Sequence, residues 1–329
     1  MTKALAVALG DPAGIGPEVT AKAWERRDAD GVPPFFAVGA PEALAAVWAG
    51  PVETISDPGE AAACFGTAIP VIRVDSIDLP EPGRPTLEGA RAAFDALELA
   101  VGLARSGAAC GLVTGPVSKS QLYAVGFAFP GQTEFVAERC GIAGDLVAMM
   151  LAGPTLRTVP VTTHVPLRDV PELITAELVA ARARTTIRGL RRLFGIERPR
   201  LAIAGLNPHA GENGALGREE IDVILPAMER LAEENAELIG PLAADTMFHA
   251  RMRETYDAAL CLYHDQALVP LKTLHFDEGV NITLGLPIVR TAPDHGTAFA
   301  IAGRNEAHPG AMIAAMKMAA ECASRLAAA

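Results

Sequence analysis

Residues 257–272 read "DAALCLYHDQALVPLK". From Ala258 to Leu262 every residue is apolar, with no polar alternation. Such a run reads as a strand buried on both faces, as in a parallel sheet covered by helices. Its end is different in kind. His264 and Asp265 stand side by side, and Lys272 follows eight residues after the histidine. In open α/β sheets the carboxyl ends of the strands are where ligands bind.

The same alternation extends outward in both directions. Strand-like runs occur at 4–9, 35–39, 69–74, 110–114, 156–163, 200–205, 257–262, 280–284 and 298–302. Helical patterns lie near 17–27, 86–106, 132–140, 174–194, 218–236, 243–253 and 309–327. The clearest helix has Leu87, Ala90, Phe94, Leu97 and Val101 at intervals of three to four residues, closed by Gly107. This order predicts an α/β chain of two αβα domains with mostly parallel sheets. A chain of 329 residues, half of them hydrophobic, exceeds one average domain. The last helix follows a strand that needs a sheet to join. Residues 1–125 and 271–329 are therefore expected to form a discontinuous first domain, and 126–270 the second.

Net charge is −11, and the basic residues are scattered rather than clustered. That argues against a nucleic-acid partner. The five cysteines (Cys64, Cys110, Cys140, Cys261 and Cys322) form no C-x-x-C pair. An odd, dispersed set fits a reducing cytosol and no zinc knuckle. The N-terminal run has no signal-peptide pattern, and no apolar run is long enough to span a bilayer. The expectation is a cytoplasmic protein without membrane contact.

The chemistry gathers after the strands. "TTHVPLRD" follows 156–163, "GLNPHAGENG" follows 200–205 and "YHDQALVPLK" follows 257–262. Thus His164, His209 and His264 each trail a different strand. Any one of them alone reads as well as a loop residue bonded to a backbone carbonyl. Three at equivalent places suggest a divalent-metal site with open coordination positions. "GDPAGIGPE" (10–18) has the order G-x-x-x-G-x-G, not G-x-G-x-x-G. It reads first as a tight strand-to-helix turn with Pro17 opening the helix. "FPGQTEF" (129–135) puts Thr133 and Glu134 at a helix start, suited to a phosphate or to N-capping. Lys272, Asn281 and Arg290 lie among glycines and apolar residues. They read as ligand contacts, or the two cations as partners of acids such as Asp277 and Glu278.

Taken in order, "GDPAGIGPE", "TGPVSK", "GQTEF", "TTHVPL", "LNPHAGENG", "ADTMF", "YHDQALVPLK" and "GVNITLGLPIVRTAPDHGTAFAIAG" resemble the 4-hydroxythreonine-4-phosphate dehydrogenase family of pyridoxal phosphate biosynthesis. The resemblance implies the fold of the isocitrate and isopropylmalate dehydrogenases. It also implies a homodimer with its active site in the interdomain cleft at the subunit interface. It puts His164, His209 and His264 at metal-ligand positions, one supplied by the neighbouring subunit, for one divalent ion per subunit (zinc, magnesium, manganese or cobalt). Gln132, Thr133, Lys272, Asn281 and Arg290 fall on substrate-binding positions. Lys272, Asp245 and Asp265 are the catalytic candidates. His295, Gly296, Thr297 and Ala298 are the expected contacts of NAD or NADP.

The implied reaction is metal-dependent oxidation of 4-hydroxythreonine 4-phosphate to a 3-keto acid, which decarboxylates to 3-amino-2-oxopropyl phosphate. Competing readings are the same chemistry on a threonate or erythronate phosphate, or a diol dehydrogenase of aromatic catabolism. A phosphate acyltransferase-like enzyme and a non-catalytic metabolite-binding protein complete the set. The three histidines argue against the acyltransferase. Two residues depart from the family pattern. Gln132 stands where the family usually has histidine, and Ser118 where asparagine is common. Glutamine hydrogen-bonds but carries no charge.

Overall fold

A computed structural model describes residues 3–75 and 80–328. Its first strands are β1 (Leu5–Ala8), β2 (Phe35–Gly39), β3 (Val52–Ile55), β4 (Ile69–Arg73), β5 (Leu112–Thr114) and β6 (Ala148–Gly153). Then come β7 (Leu156–Pro160), β8 (Arg200–Ala204), β9 (Glu237–Leu242), β10 (Ala258–Cys261), β11 (Val280–Leu284) and β12 (Arg290–Pro293). The chain divides at Gly141/Ile142 and Gly285/Leu286 into two compact units.

These divisions lie C-terminal to the expected 125 and 270, and packing accounts for both. Helix Gln132–Arg139 stays with the first unit because Phe135 packs on Phe94 and Phe127, at ring separations of 5.6 and 5.5 Å. β11 goes with the second unit because it pairs antiparallel with β6 along its whole length.

In the first unit the strand order is β3-β4-β2-β1-β5-β12, with every pairing parallel. β1 and β2 are buried at every position, as a sheet covered on both faces requires. The long helix Leu87–Arg105 starts where Thr86 Oγ1 accepts the Gly89 N–H. In the second unit the order is β11-β6-β7-β10-β8-β9. β7, β10, β8 and β9 run parallel, while the β6–β7 hairpin and β11 bring antiparallel pairing. Helix Ala176–Phe194 begins at a Thr175 cap and ends at Gly195, whose φ of 70° is the usual left-handed stop.

Several sequence expectations fail locally. The run 298–302 is not a strand: Ala298 is left-handed (φ 44°), and Ile301 N–H donates back to Ala298 O, so the amides are used in turns. The strand there is Arg290–Pro293, obscured by an arginine at one end and a proline at the other. Strands 52–55, 148–153 and 237–242 also lacked a sufficient signal. The helix expected at 218–236 is a π-turn, Glu220–Ile224, followed by Leu225–Glu229. Of the expected helix 243–253 only Ala250–Arg253 forms.

The opening stretch gives the largest correction. β10 ends at Cys261, Tyr263 is extended, and helix His264–His275 starts at once despite Pro270 in its interior. A proline normally ends a helical reading. Here Gln266, Ala267 and Leu271 are buried along one side and hold the helix. His264 and Asp265 therefore open a helix rather than lie in a loop.

Candidate active site

β7, β10 and β8 are parallel neighbours, so their carboxyl ends lie along one edge of the second unit's sheet. The loop after β7 carries His164, and the helix after β10 begins with His264. The two rings are 5.6 Å apart, centroid to centroid, and inclined at 44°. Two imidazoles on one tetrahedral zinc, at Zn–N about 2.0–2.1 Å, place their centroids roughly 5 Å apart. The observed pair, at 5.6 Å, is slightly wider than that spacing. His264 Nδ1 donates to Asp265 Oδ1 at 2.7 Å. A carboxylate there fixes the tautomer and leaves Nε2 with its lone pair outward, the usual partner arrangement of a metal-bound histidine. Both histidines line a cavity of about 310 Å³ with Thr162, Tyr263 and the apolar Val165, Leu167 and Val170.

His209 is held differently. Residues 209–213 are all left-handed, with φ between 44° and 80°. Four of them (His209, Ala210, Glu212 and Asn213) have a Cβ. Left-handed backbone costs roughly 1–2 kcal/mol per such residue, so runs of it are rare. His164 is left-handed too, at φ 52°. Strained non-glycine backbone concentrates at functional sites, where the surrounding structure enforces it. Among the described residues, no group of three or more His, Cys, Asp or Glu stands ready to hold a metal ion. One chain thus offers the His164–His264 pair, with His209 on a separate loop.

Of the other expected residues in this unit, Asp245 is exposed in a turn and Lys272 is half-buried on the helix that His264 opens. Asn281 lies in β11, and its Oδ1 is buried without a hydrogen-bond partner.

The first unit holds a second constellation. Arg290 opens β12 beside β5 and is only 3% exposed. Its Nη2 donates to Thr114 Oγ1 at 2.7 Å and to Gln132 Oε1 at 2.9 Å, and Nη1 lies 3.5 Å from Thr133 Oγ1. Burial pulls its pKa down to about 10, with the Glu134 charge opposing, so it is a cation at neutral pH. Thr133 does not cap its helix: the N-cap is Gly131, with no side-chain bond. Gln132 Nε2 donates to Gly115 O at 3.2 Å. A guanidinium only donates, so the amide oxygen must face Arg290. The Gln132 donor is therefore occupied within the protein, and its direct contribution is to orient the arginine.

The glycine-rich turn and the segment His295–Ala298 meet. Ile15 N–H donates to Thr297 O at 3.0 Å, and a Cβ on Gly14 would lie 3.0 Å from that same oxygen. The following helix, Gly16–Glu25, has Pro17 in its first turn, as expected. Its buried Glu18 accepts the N–H groups of Gly303 and Ala307, anchoring the chain beyond the segment. Asp11, also buried, accepts from Ala13 N, and burial raises its pKa.

The sequence reading missed Thr114 as an arginine partner and Glu220 as a brace of the His209 loop. Thr114 did carry a signal, a hydroxyl ending an apolar strand. Glu220 carried none, because its partners are two backbone amides and the side chain of Asn207, thirteen residues away.

Residues 34–319 match the family model described as pyridoxal phosphate biosynthetic protein PdxA. A relative from Zymomonas mobilis, named 4-hydroxythreonine-4-phosphate dehydrogenase, is 59% identical over 98% of this chain and 96% of its own. One of the same name from Erythrobacter litoralis is 53% identical over 98% and 97%. The crystal structure of 4-hydroxythreonine-4-phosphate dehydrogenase from Klebsiella pneumoniae superposes with a TM-score of 0.88 at 36% identity, covering 98% of each chain.

Proposed function

The chain belongs to the pyridoxal phosphate biosynthetic protein PdxA family, and on that premise we propose that it is a metal-dependent, NAD(P)-linked 4-hydroxythreonine-4-phosphate dehydrogenase. The observation that carries the metal dependence is the His164–His264 couple, with Asp265 fixing one ring. The donor set fits a divalent ion, since neutral imidazoles suit zinc and similar first-row ions and leave positions open. His164, His209 and His264 are the residues proposed to hold it, one ion per subunit (zinc, magnesium, manganese or cobalt). When bound, such an ion lowers the pKa of a substrate hydroxyl and polarises the ketone formed from it.

The chain's own residues take the remaining roles. Arg290 and Thr133 bind the phosphate, while Gln132 and Thr114 aim the guanidinium. The buried Asn281 oxygen accepts from the substrate's ammonium or hydroxyl group. NAD or NADP, which His295, Gly296, Thr297 and Ala298 would hold, would supply the acceptor for the hydride of C3 as the substrate's hydroxyl proton is released. The resulting 3-keto acid loses carbon dioxide, and the bonding pair passes into the ketone as an enolate. Lys272 returns a proton to the former C2, giving 3-amino-2-oxopropyl phosphate, with Asp245 as its relay partner. Asp265 keeps the proton on His264 Nδ1 throughout.

A homodimer follows from this reading, one metal ligand coming from the partner subunit. Exposed apolar side chains near His164 and His264 in sequence support it: Val165, Leu167, Leu173, Val269, Leu274 and Phe276, the last 75% exposed. No helix among the described residues is long and apolar enough to cross a membrane. Cys64, Cys110, Cys140 and Cys261 are free thiols, which suits the cytoplasm proposed here. Neither a membrane nor a nucleic acid is part of the reading.

Gln132 favours one second reading, the same machinery acting on a threonate or erythronate 4-phosphate. Steady-state kinetics decides between them, using all three phosphorylated substrates, NAD or NADP, and each metal restored after chelation. Turnover of 4-hydroxythreonine 4-phosphate with the highest kcat/KM is the expected result. Its absence, with turnover of another member of the panel, overturns the substrate assignment.

A further inference from the structure

Five consecutive left-handed residues, His209 to Asn213, need a cause outside themselves. The carboxylate of Glu220, 3% exposed, supplies one. Its Oε1 accepts the backbone N–H groups of Leu206 and Asn207, both at 2.8 Å, where the chain enters the turn. Its Oε2 accepts from Asn207 Nδ2 at 3.0 Å, and Glu219 Oε2 accepts from the same amide at 2.6 Å. Two glycines make room for this arrangement. A Cβ on Gly211 would lie 2.5 Å from Glu220 Oε2, and one on Gly217 would lie 2.3 Å from Asn207 Nδ2. A second tie runs to the neighbouring strand end. Buried Gln266 donates to Gly205 O at 2.8 Å and accepts from Leu262 N at 2.6 Å, linking the loop of His209 to the turn before His264.

We propose that Glu220 is a positioning residue for His209, its carboxylate holding the left-handed turn that fixes where the imidazole stands. Glu220 sets the shape of the turn, and Gln266 sets its distance from the His264 turn. The inference rests on His209 being a metal ligand. Groups that orient ligands from behind typically cost 10–100-fold in metal affinity when lost.

The test is a Zn²⁺ competition titration against a chromophoric chelator, on the full-length assembled protein. It compares wild type with Glu220→Gln, Glu220→Ala and His209→Ala, and with each Glu220 variant combined with His209→Ala. Glu220→Gln keeps an acceptor for the two backbone amides but turns an NH₂ toward Asn207 Nδ2. The expected result is roughly tenfold weaker Zn²⁺ binding for Glu220→Gln and up to about a hundredfold for Glu220→Ala. With His209 already replaced, neither change should weaken binding further. If Glu220→Ala does not fold, Glu220→Gln alone decides. Unchanged affinity in His209→Ala removes His209 from the site, and the proposal falls with that reading. A loss in His209→Ala with none in the Glu220 variants overturns the proposal alone. An equal loss with and without His209 shows general loosening and overturns it too.

Discussion

The side-chain carbonyl of Gln132 lies 2.9 Å from Arg290 Nη2 and presents no charge to it. Gln132→Glu would keep the acceptor, add a negative charge beside the guanidinium and lose the bond to Gly115 O. Hydrogen bonds to charged groups are worth roughly 1.5–3 kcal/mol, so the KM for the phosphorylated substrate should rise about tenfold or more, with kcat less affected. Steady-state kinetics checks this. An unchanged KM would remove Arg290 from phosphate binding.

Replacing Gln132 with histidine couples the same contact to pH. A neutral imidazole can accept from Arg290, whereas a protonated one cannot. Facing a buried cation, its folded pKa would lie below the unfolded value of about 6.5. The stability of Gln132→His, fully present above that pH, should therefore fall as the pH drops below it through the folded pKa, more steeply than in wild type. Bound phosphate should oppose the decline. Thermal melts across pH, with and without inorganic phosphate, show the difference, and parallel profiles for both proteins would refute it.

His164 pays for its place with a left-handed backbone, φ 52°. Both His164→Ala and His164→Gly should lose most metal binding and turnover. The glycine variant should be the more stable of the two by about 1 kcal/mol, because only the alanine retains the strained Cβ. Denaturant unfolding of the metal-free proteins measures the gap. Equal stability would mean that the turn relaxes in the variants.

The adjacency of His164 and His264 specifies which inactive subunits can rescue one another. If this pair serves one site and His209 comes from the partner subunit, mixing His164→Ala with His209→Ala rebuilds one intact site per heterodimer. Mixing His164→Ala with His264→Ala rebuilds none. Activity after demonstrated subunit exchange gives the answer, and the opposite pattern would reassign the ligands.

His275 Nε2 lies 3.3 Å from the donating N–H of Thr155 and 2.9 Å from its hydroxyl, so the folded ring is neutral. Burial lowers its pKa from 6.5, partly offset by Glu278. A depressed folded pKa means a contribution present above the unfolded value and lost as pH falls through the folded one. Stability should drop on acidification below about pH 6.5, and His275→Asn should flatten that slope. An identical slope in the variant would exclude His275 as a contributor.

The buried parallel strands were legible because an unbroken apolar run such as Ala258–Leu262 has few alternatives. β12 was not, since Arg290 is buried by specific partners far off in sequence, Thr114 and Gln132, rather than by its own character. Helix His264–His275 was hidden by Pro270, a local veto that tertiary burial overrides. The candidate residues themselves could be named from their motifs. Their geometry could not, because the left-handed turn at His209 depends on Glu220 and on the two glycines whose side-chain space the brace occupies.

The first unit is built from both ends of the chain, with residues 142–285 intervening. Its sheet lacks β12, and Glu18 lacks Gly303 and Ala307, until the last segment leaves the ribosome. Translation at roughly 5–20 residues per second makes that wait about 7 to 30 seconds. The second unit, continuous in sequence, emerges whole in the interval. The nascent first unit therefore passes that time with one edge of its central sheet open, and an unpaired strand edge is a site of aggregation.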